Sequence, residues 1–195
     1  MTNNPEKYHR HSIRLKSYDY SQEGAYFVTI CTQDKKYPLG KVVGGNMELS
    51  SIGKIAQEYL FDISKHFANA KLDQFVIMPN HIHTIIMVEK VGAIHELPLR
   101  KPPLRIRRRK MLIPKIIGYF KMNCAKKINQ MQNSCGMPVW QRNYYEHVIR
   151  SEKELGNIRE YITNNPLKWE LDRENPFSAN YNLEHKKYFE GIYEQ

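Results

Sequence analysis

Hydrophobic positions along this chain switch between two periods, and the switches mark out its elements. Residues 25–32 (AYFVTICT) are β-branched and aromatic, which predicts a strand. Residues 40–49 predict a strand pair or hairpin, punctuated by Gly44, Gly45 and Asn46. Ser50 or Ser51 then caps a helix whose Ile52, Ile55, Ala56, Tyr59, Leu60, Ile63 and Phe67 fall at helical spacing. Two short apolar strands follow, 72–78 and 82–88, parted by the turn dipeptide Pro79-Asn80. Pro114 opens a second helix with Ile116, Ile117, Phe120, Cys124 and Ile128 inward and Lys115, Lys121, Lys126 and Lys127 outward. Residues 139–149 predict a further strand, and Ser151 starts a third helix that ends near Asn165, ahead of Pro166.

The resulting order of strands and helices predicts an α+β fold, an antiparallel sheet with helices packed on one face. No internal repeat is present. Residues 91–110 break the pattern with three prolines and a basic run, which predicts an inserted, exposed loop. The expected organisation is one domain over 10–169 and a polar, aromatic tail over 170–195 that packs on it.

Composition narrows the classes. The chain has 195 residues, 41% of them hydrophobic, and no apolar run long enough to span a bilayer. Its first residues lack the apolar core of a secretory signal, and its three cysteines have no paired spacing, so a reduced, cytoplasmic protein is expected. Lysine and arginine outnumber aspartate and glutamate by 30 to 20, which favours a nucleic-acid partner or leaves simply a basic soluble enzyme. No basic amphipathic helix points to a membrane surface. No glycine-rich phosphate loop, nucleophile elbow or Cys-x-x-Cys pair is found, which removes the commoner enzyme classes.

Candidate chemistry sits in three places. His81 and His83 lie two apart on a predicted strand, so both imidazoles share a face, as a metal pair or as surface histidines of an edge strand. Tyr161 and Asn165 lie four apart near the end of the third helix, as nucleophile and ligand or as a core tyrosine and a cap. Residues 140–150 mix aromatic, amide and basic groups in the manner of a single-strand-binding surface or of an aromatic strand packed under the tail. Trp140, Gln141, Arg142 and Arg150 are the DNA-contact candidates there, joined by Arg14, Lys16, Arg105, Arg107, Arg108 and Arg109.

Together, YFVTICT (26–32), FVIMPNHIHTIIMV (75–88), VWQRNYYEHVIR (139–150) and REYITNNP (159–166) resemble the HUH endonucleases, specifically the single-tyrosine, REP-associated tyrosine transposases. The resemblance spans most of 18–169 apart from the 91–110 loop. It implies a ferredoxin-like antiparallel sheet and a divalent metal, Mg²⁺ or Mn²⁺, held by His81, His83 and Asn165. It further implies Tyr161 as the nucleophile. Insertion-sequence relatives carry Gln at the last ligand position, so Asn165 places the chain on the REP-associated side. The activity implied is cleavage and rejoining of single-stranded DNA at hairpin-forming sequences, through a 5′-phosphotyrosine, in a nucleoid-associated monomer or homodimer. Alternatives are an HUH replication initiator or relaxase, and a non-catalytic nucleic-acid-binding regulator.

Overall fold

A computed structural model describes residues 18–89, 111–172 and 174–175. The chain runs β1 (Gly24–Cys31), β2 (Gly40–Val43), β3 (Asn46–Leu49), α1 (Ser51–His66), β4 (Ala70–Ile77), β5 (His81–Val88), α2 (Leu112–Met131), β6 (Tyr145–Ile149) and α3 (Glu152–Asn164), followed by a short 3-10 turn at Trp169–Leu171. β2 and β3 pair only with each other, as a hairpin ahead of α1. The other four strands form one antiparallel sheet in the order β4-β5-β1-β6. The βαββαβ order with this arrangement is the ferredoxin-like α+β fold, extended by the hairpin and by α3.

β1 and β5 are central and covered on both faces, which is why their sequences read as nearly continuous apolar runs. On one face Tyr26, Val28, Ile30, Ile82 and Ile86 pack with Ile55, Leu60 and Ile63 of α1 and with Ile116, Ile117 and Phe120 of α2. On the other, Ala25, Phe27, Ile85 and Ile149 pack with Leu155, Ile158 and Ile162 of α3. The expectation that all helices share one face is therefore corrected. α1 and α2 cover one side, and α3 crosses to the other because its apolar stripe matches the odd-numbered residues of β5.

Two further expectations change in detail. The strand predicted over 139–149 is confined to β6, with a lone bridge between Thr32 and Trp140 before it. The Lys121 ammonium donates to the carbonyls of Gln141 (2.9 Å) and Asn143 (2.7 Å), so α2 takes up acceptors that a longer ladder would need. α3 ends where predicted, yet Asn165 keeps helical dihedrals (φ −58°, ψ −42°) despite Pro166, and the chain continues through the 3-10 turn. Of the two serines offered as the cap of α1 it is Ser50, which accepts from Gly53 N–H at 3.1 Å, and Ser151 caps α3 as expected, accepting from Glu154 N–H at 3.2 Å. The three cysteines are free thiols. Among the described residues no helix is long and apolar enough to cross a membrane.

Candidate functional site

Strand alternation sends Ile82 into the α1/α2 core and turns His81 and His83 toward α3. Neither histidine is a surface group. His81 is 0% and His83 4% exposed, and their ring centroids lie 4.4 Å apart. β1 supplies the flank of His83: Phe27 stacks on its ring at 5.3 Å, and the Thr29 hydroxyl lies 2.8 Å from its Nδ1. α3 supplies Tyr161, whose hydroxyl is 3.1 Å from His83 Nε2. The capped first turn, Asp73 paired with Arg159 at 2.7 Å, and Gln74 bonded to Thr163 at 3.1 Å fix the pitch of α3 over β4 and so the placement of that phenol.

The turn after α3 folds back over the same pocket. Asp172 is buried, and one of its oxygens lies with one nitrogen of His81 and one of His83 inside a group spanning at most 4.8 Å, a set that could hold a metal ion. Asn165, 2% exposed, donates from Nδ2 to Asp172 Oδ2 at 2.8 Å. The Glu174 N–H donates to Asp172 Oδ1 at 2.6 Å. Two buried acceptors, His81 Nε2 and Asn165 Oδ1, have no hydrogen-bond partner. Leaving such atoms dry costs about 1–3 kcal/mol each, so a cation beside them has a physical reason to be there. The donor set of two imidazoles, a carboxylate and an amide oxygen suits a divalent ion. Burial also pushes the His81 pKa down to about 4, which keeps its imidazole neutral and its lone pair available.

Of the residues singled out from sequence, the fold thus gathers His81, His83, Tyr161 and Asn165 into one pocket. Arg142 and Arg150, the basic candidates among the described residues, are not part of that group. Trp140 is 7% exposed and its ring lies tilted against Phe120 in the α1/α2 core, with centroids 5.4 Å apart. Arg142 and Arg150 are exposed, and Gln141 is half-buried. His147 bonds Glu154 at 2.6 Å on the α3 side of β6. Arg14, Lys16, Arg105, Arg107, Arg108 and Arg109 lie outside the described residues. Asp172 was missed. It falls in the stretch read as tail, and the only local sign of it is an acidic residue one short turn beyond Asn-Pro.

A ferredoxin-like domain carrying a histidine pair on a central strand, faced by a tyrosine from the helix behind it, defines the class. Within that class, the chain is 41% identical over 169 residues to an uncharacterized protein of Haemophilus influenzae, covering 85% of this chain and 93% of that one. It is 26% identical over 166 residues to a second protein of that organism, named "Putative REP-associated tyrosine transposase", covering 83% and 82%. The chain belongs to one family with the first protein, and the REP-associated tyrosine transposases are its relatives. No protein-family model matches it. Among solved structures, a REP-associated tyrosine transposase bound to a REP hairpin is similar at TM-score 0.48 and 18% identity, covering 81% of this chain and 74% of that one. A "putative transposase" from Deinococcus radiodurans is similar at TM-score 0.44 and 17% identity, covering 77% and 97%.

Proposed function

We propose that the protein is a transposase-type endonuclease that cuts and rejoins single-stranded DNA through Tyr161, at an ion held by His81, His83 and Asp172 with Asn165 beside them. The observation that carries this reading is the meeting of the half-buried Tyr161 with the buried His81–His83–Asp172 group. The relationship to a transposase by name supports the reaction class.

The bound ion, Mg²⁺ or Mn²⁺, would polarise a non-bridging phosphate oxygen and stabilise charge in the transition state. The carboxylate of Asp172 and the amide oxygen of Asn165 shift an otherwise imidazole-based site toward these harder cations. In its Nδ1–H tautomer His83 has one lone pair at Nε2, which would serve either the Tyr161 hydroxyl or the ion. Were His83 to hold the ion through Nε2, its contact with the Tyr161 hydroxyl would give way and leave the phenol free to meet the substrate phosphate. The Tyr161 oxygen then attacks phosphorus in line, the bond to the 3′-oxygen breaks, and the 5′-phosphate end stays on the tyrosine. The phenol gives up its proton to solvent as it attacks, and the departing 3′-oxygen takes one up from solvent to leave as a hydroxyl, so protons balance over the step. A second 3′-hydroxyl can reverse the step and join strands, because the phosphotyrosine retains the energy of the phosphodiester. Hairpin-forming DNA is the substrate class the motif resemblance implies, and exposed Arg142 and Arg150 beside β6 offer phosphate contacts.

Incubation with labelled single-stranded hairpin oligonucleotides and Mn²⁺ should give a covalent protein–DNA adduct. Tyr161→Phe should form none, while its melting behaviour shifts by only about 1 kcal/mol, the worth of one hydrogen bond. An adduct of undiminished yield in that variant would move the nucleophile elsewhere, to Tyr144 or Tyr145. No adduct with the unaltered protein under any divalent ion would leave the regulator reading in its place.

A further inference from the structure

The residue that precedes the histidine pair has a fully buried side chain, and its contacts decide something about His81 that heavy-atom positions alone leave open. Asn80 is 0% exposed. At one end its amide lies 2.6 Å from the carbonyl oxygen of Glu174 and 3.5 Å from that of Lys35. Both neighbours are acceptors only, so the end facing them must be the Nδ2 donor. The other end, Oδ1, is then the atom 2.8 Å from His81 Nδ1. An amide oxygen cannot donate, so Nδ1 must carry the ring proton. In a neutral imidazole that leaves Nε2 unprotonated, and Nε2 is the buried atom without a hydrogen-bond partner.

His83 is not fixed in this way. Its Nδ1 meets a threonine hydroxyl and its Nε2 a tyrosine hydroxyl, and either group can donate or accept. One histidine of the pair therefore has an imposed tautomer and the other an adjustable one.

We propose that Asn80 is a positioning residue that locks His81 as the Nδ1–H tautomer, and that the strap carrying Asp172, Glu174 and Asn175 holds this lock through the Glu174 carbonyl. The strap is tied down at three points. Asp172 receives Asn165, the Glu174 carboxylate pairs with Lys35 at 3.1 Å, and Asn175 accepts from the Tyr37 hydroxyl at 3.2 Å. The same stretch thus places the Asp172 carboxylate at the histidines and the Glu174 carbonyl at Asn80. The aspartate is placed together with the constraint that readies His81 Nε2 as a donor to a metal. A bland turn residue between β4 and β5 would need neither full burial nor an amide whose two ends are chemically sorted.

This rests on reading the cluster as a metal centre, and the test separates the two. Metal-free full-length protein with ¹⁵N-labelled histidine, with His81 assigned through His81→Gln, should show the Nδ1–H pattern in long-range ¹H–¹⁵N spectra. Asn80→Ala should lose it and bind Mn²⁺ about 10- to 100-fold more weakly by calorimetry, the usual cost of removing an outer-shell partner. An Nε2–H pattern in the unaltered protein overturns the proposal whether or not Asn80→Ala folds. So does an Asn80→Ala protein with unchanged tautomer and Mn²⁺ affinity. If the unaltered protein takes up no Mn²⁺ while showing Nδ1–H, the metal reading fails, and the proposal loses its ligand with it.

Discussion

Burial on every side withdraws His81 from water, and that desolvation lowers its pKa from 6.5 to about 4; Lys35 pushes the same way and Glu174 opposes. An unfolded chain binds a proton at this ring near pH 6.5, whereas the folded one resists until about pH 4. The unfolded state therefore gains protons first as pH falls. Stability of the metal-free protein should be full above pH 6.5 and drain away between 6.5 and 4, by about 3 kcal/mol from this residue. Denaturant midpoints of the unaltered protein and of His81→Gln, compared near neutral pH and again at about pH 4.5, check this. The gap between them should narrow on the acid side, and a constant gap would mean that His81 does not titrate as its burial implies.

Around the same pocket Asp172 and Asn165 should respond differently. Asp172→Asn removes a carboxylate from the group with His81 and His83 and should weaken Mn²⁺ binding by at least tenfold. Asn165→Ala deletes a donor to Asp172 and should cost about 1–3 kcal/mol of stability with a smaller loss of affinity, since water can take the vacated place. Calorimetry and thermal melts on both variants separate these effects. Equal affinity losses would make Asn165 as strong a ligand as the carboxylate.

At the scale of elements, two helix glycines give opposite forecasts. A Cβ on Gly53, in the first turn of α1, would stand 2.1 Å from the Leu39 carbonyl oxygen, which already accepts from Ser50 N–H at 3.0 Å. Gly53→Ala must push α1 off the hairpin junction and should cost about 1–3 kcal/mol. Gly156 in α3 is exposed with open space around it, so Gly156→Ala should stabilise by about 1 kcal/mol and stiffen the helix that carries Tyr161. Chemical denaturation of both would show whether α1 really bears on that carbonyl. The elements themselves were legible in sequence wherever one physical rule acted alone. Periodicity marked α1, α2 and the two central strands, and Ser50 and Ser151 announced their caps. Legibility failed where a partner distant in sequence decided. Lys121 shortens β6 from across the fold, and the face chosen by α3 depends on β5. Asp172 enters the pocket only because the turn after Pro166 folds back. Asn80 looked like a turn residue because nothing local shows the carbonyls of Lys35 and Glu174 closing on its amide.

For the whole molecule, the formal charge of +10 suits a polyanionic partner, and under the proposed function the site at Tyr161 would select which DNA reacts. Tyr161 is held by α3 against the sheet, and the group it faces is buried, so a phosphate must come to it. In-line attack by a half-buried phenol beside a buried group needs a strand that can present one phosphate to it, which an unpaired flank does at lower cost than an intact duplex. We therefore expect an oligonucleotide with a short hairpin and a single-stranded flank to be cut in the flank, and the blunt duplex of the same sequence to be cut poorly. Binding should fall with salt at a log–log slope of roughly −0.7 for each single-strand phosphate neutralised. The run at Arg105, Arg107, Arg108 and Arg109 lies outside the described residues and is proposed as one clamp for the hairpin backbone. Deleting 91–110 should then flatten the slope and weaken binding, yet still allow adduct formation at Tyr161 when substrate is in excess. A deletion that leaves the slope unchanged removes only the clamp. Equal cleavage of duplex and flanked hairpin would show that the site does not select for single strands, and the geometry of Tyr161 would then have to be different during the reaction.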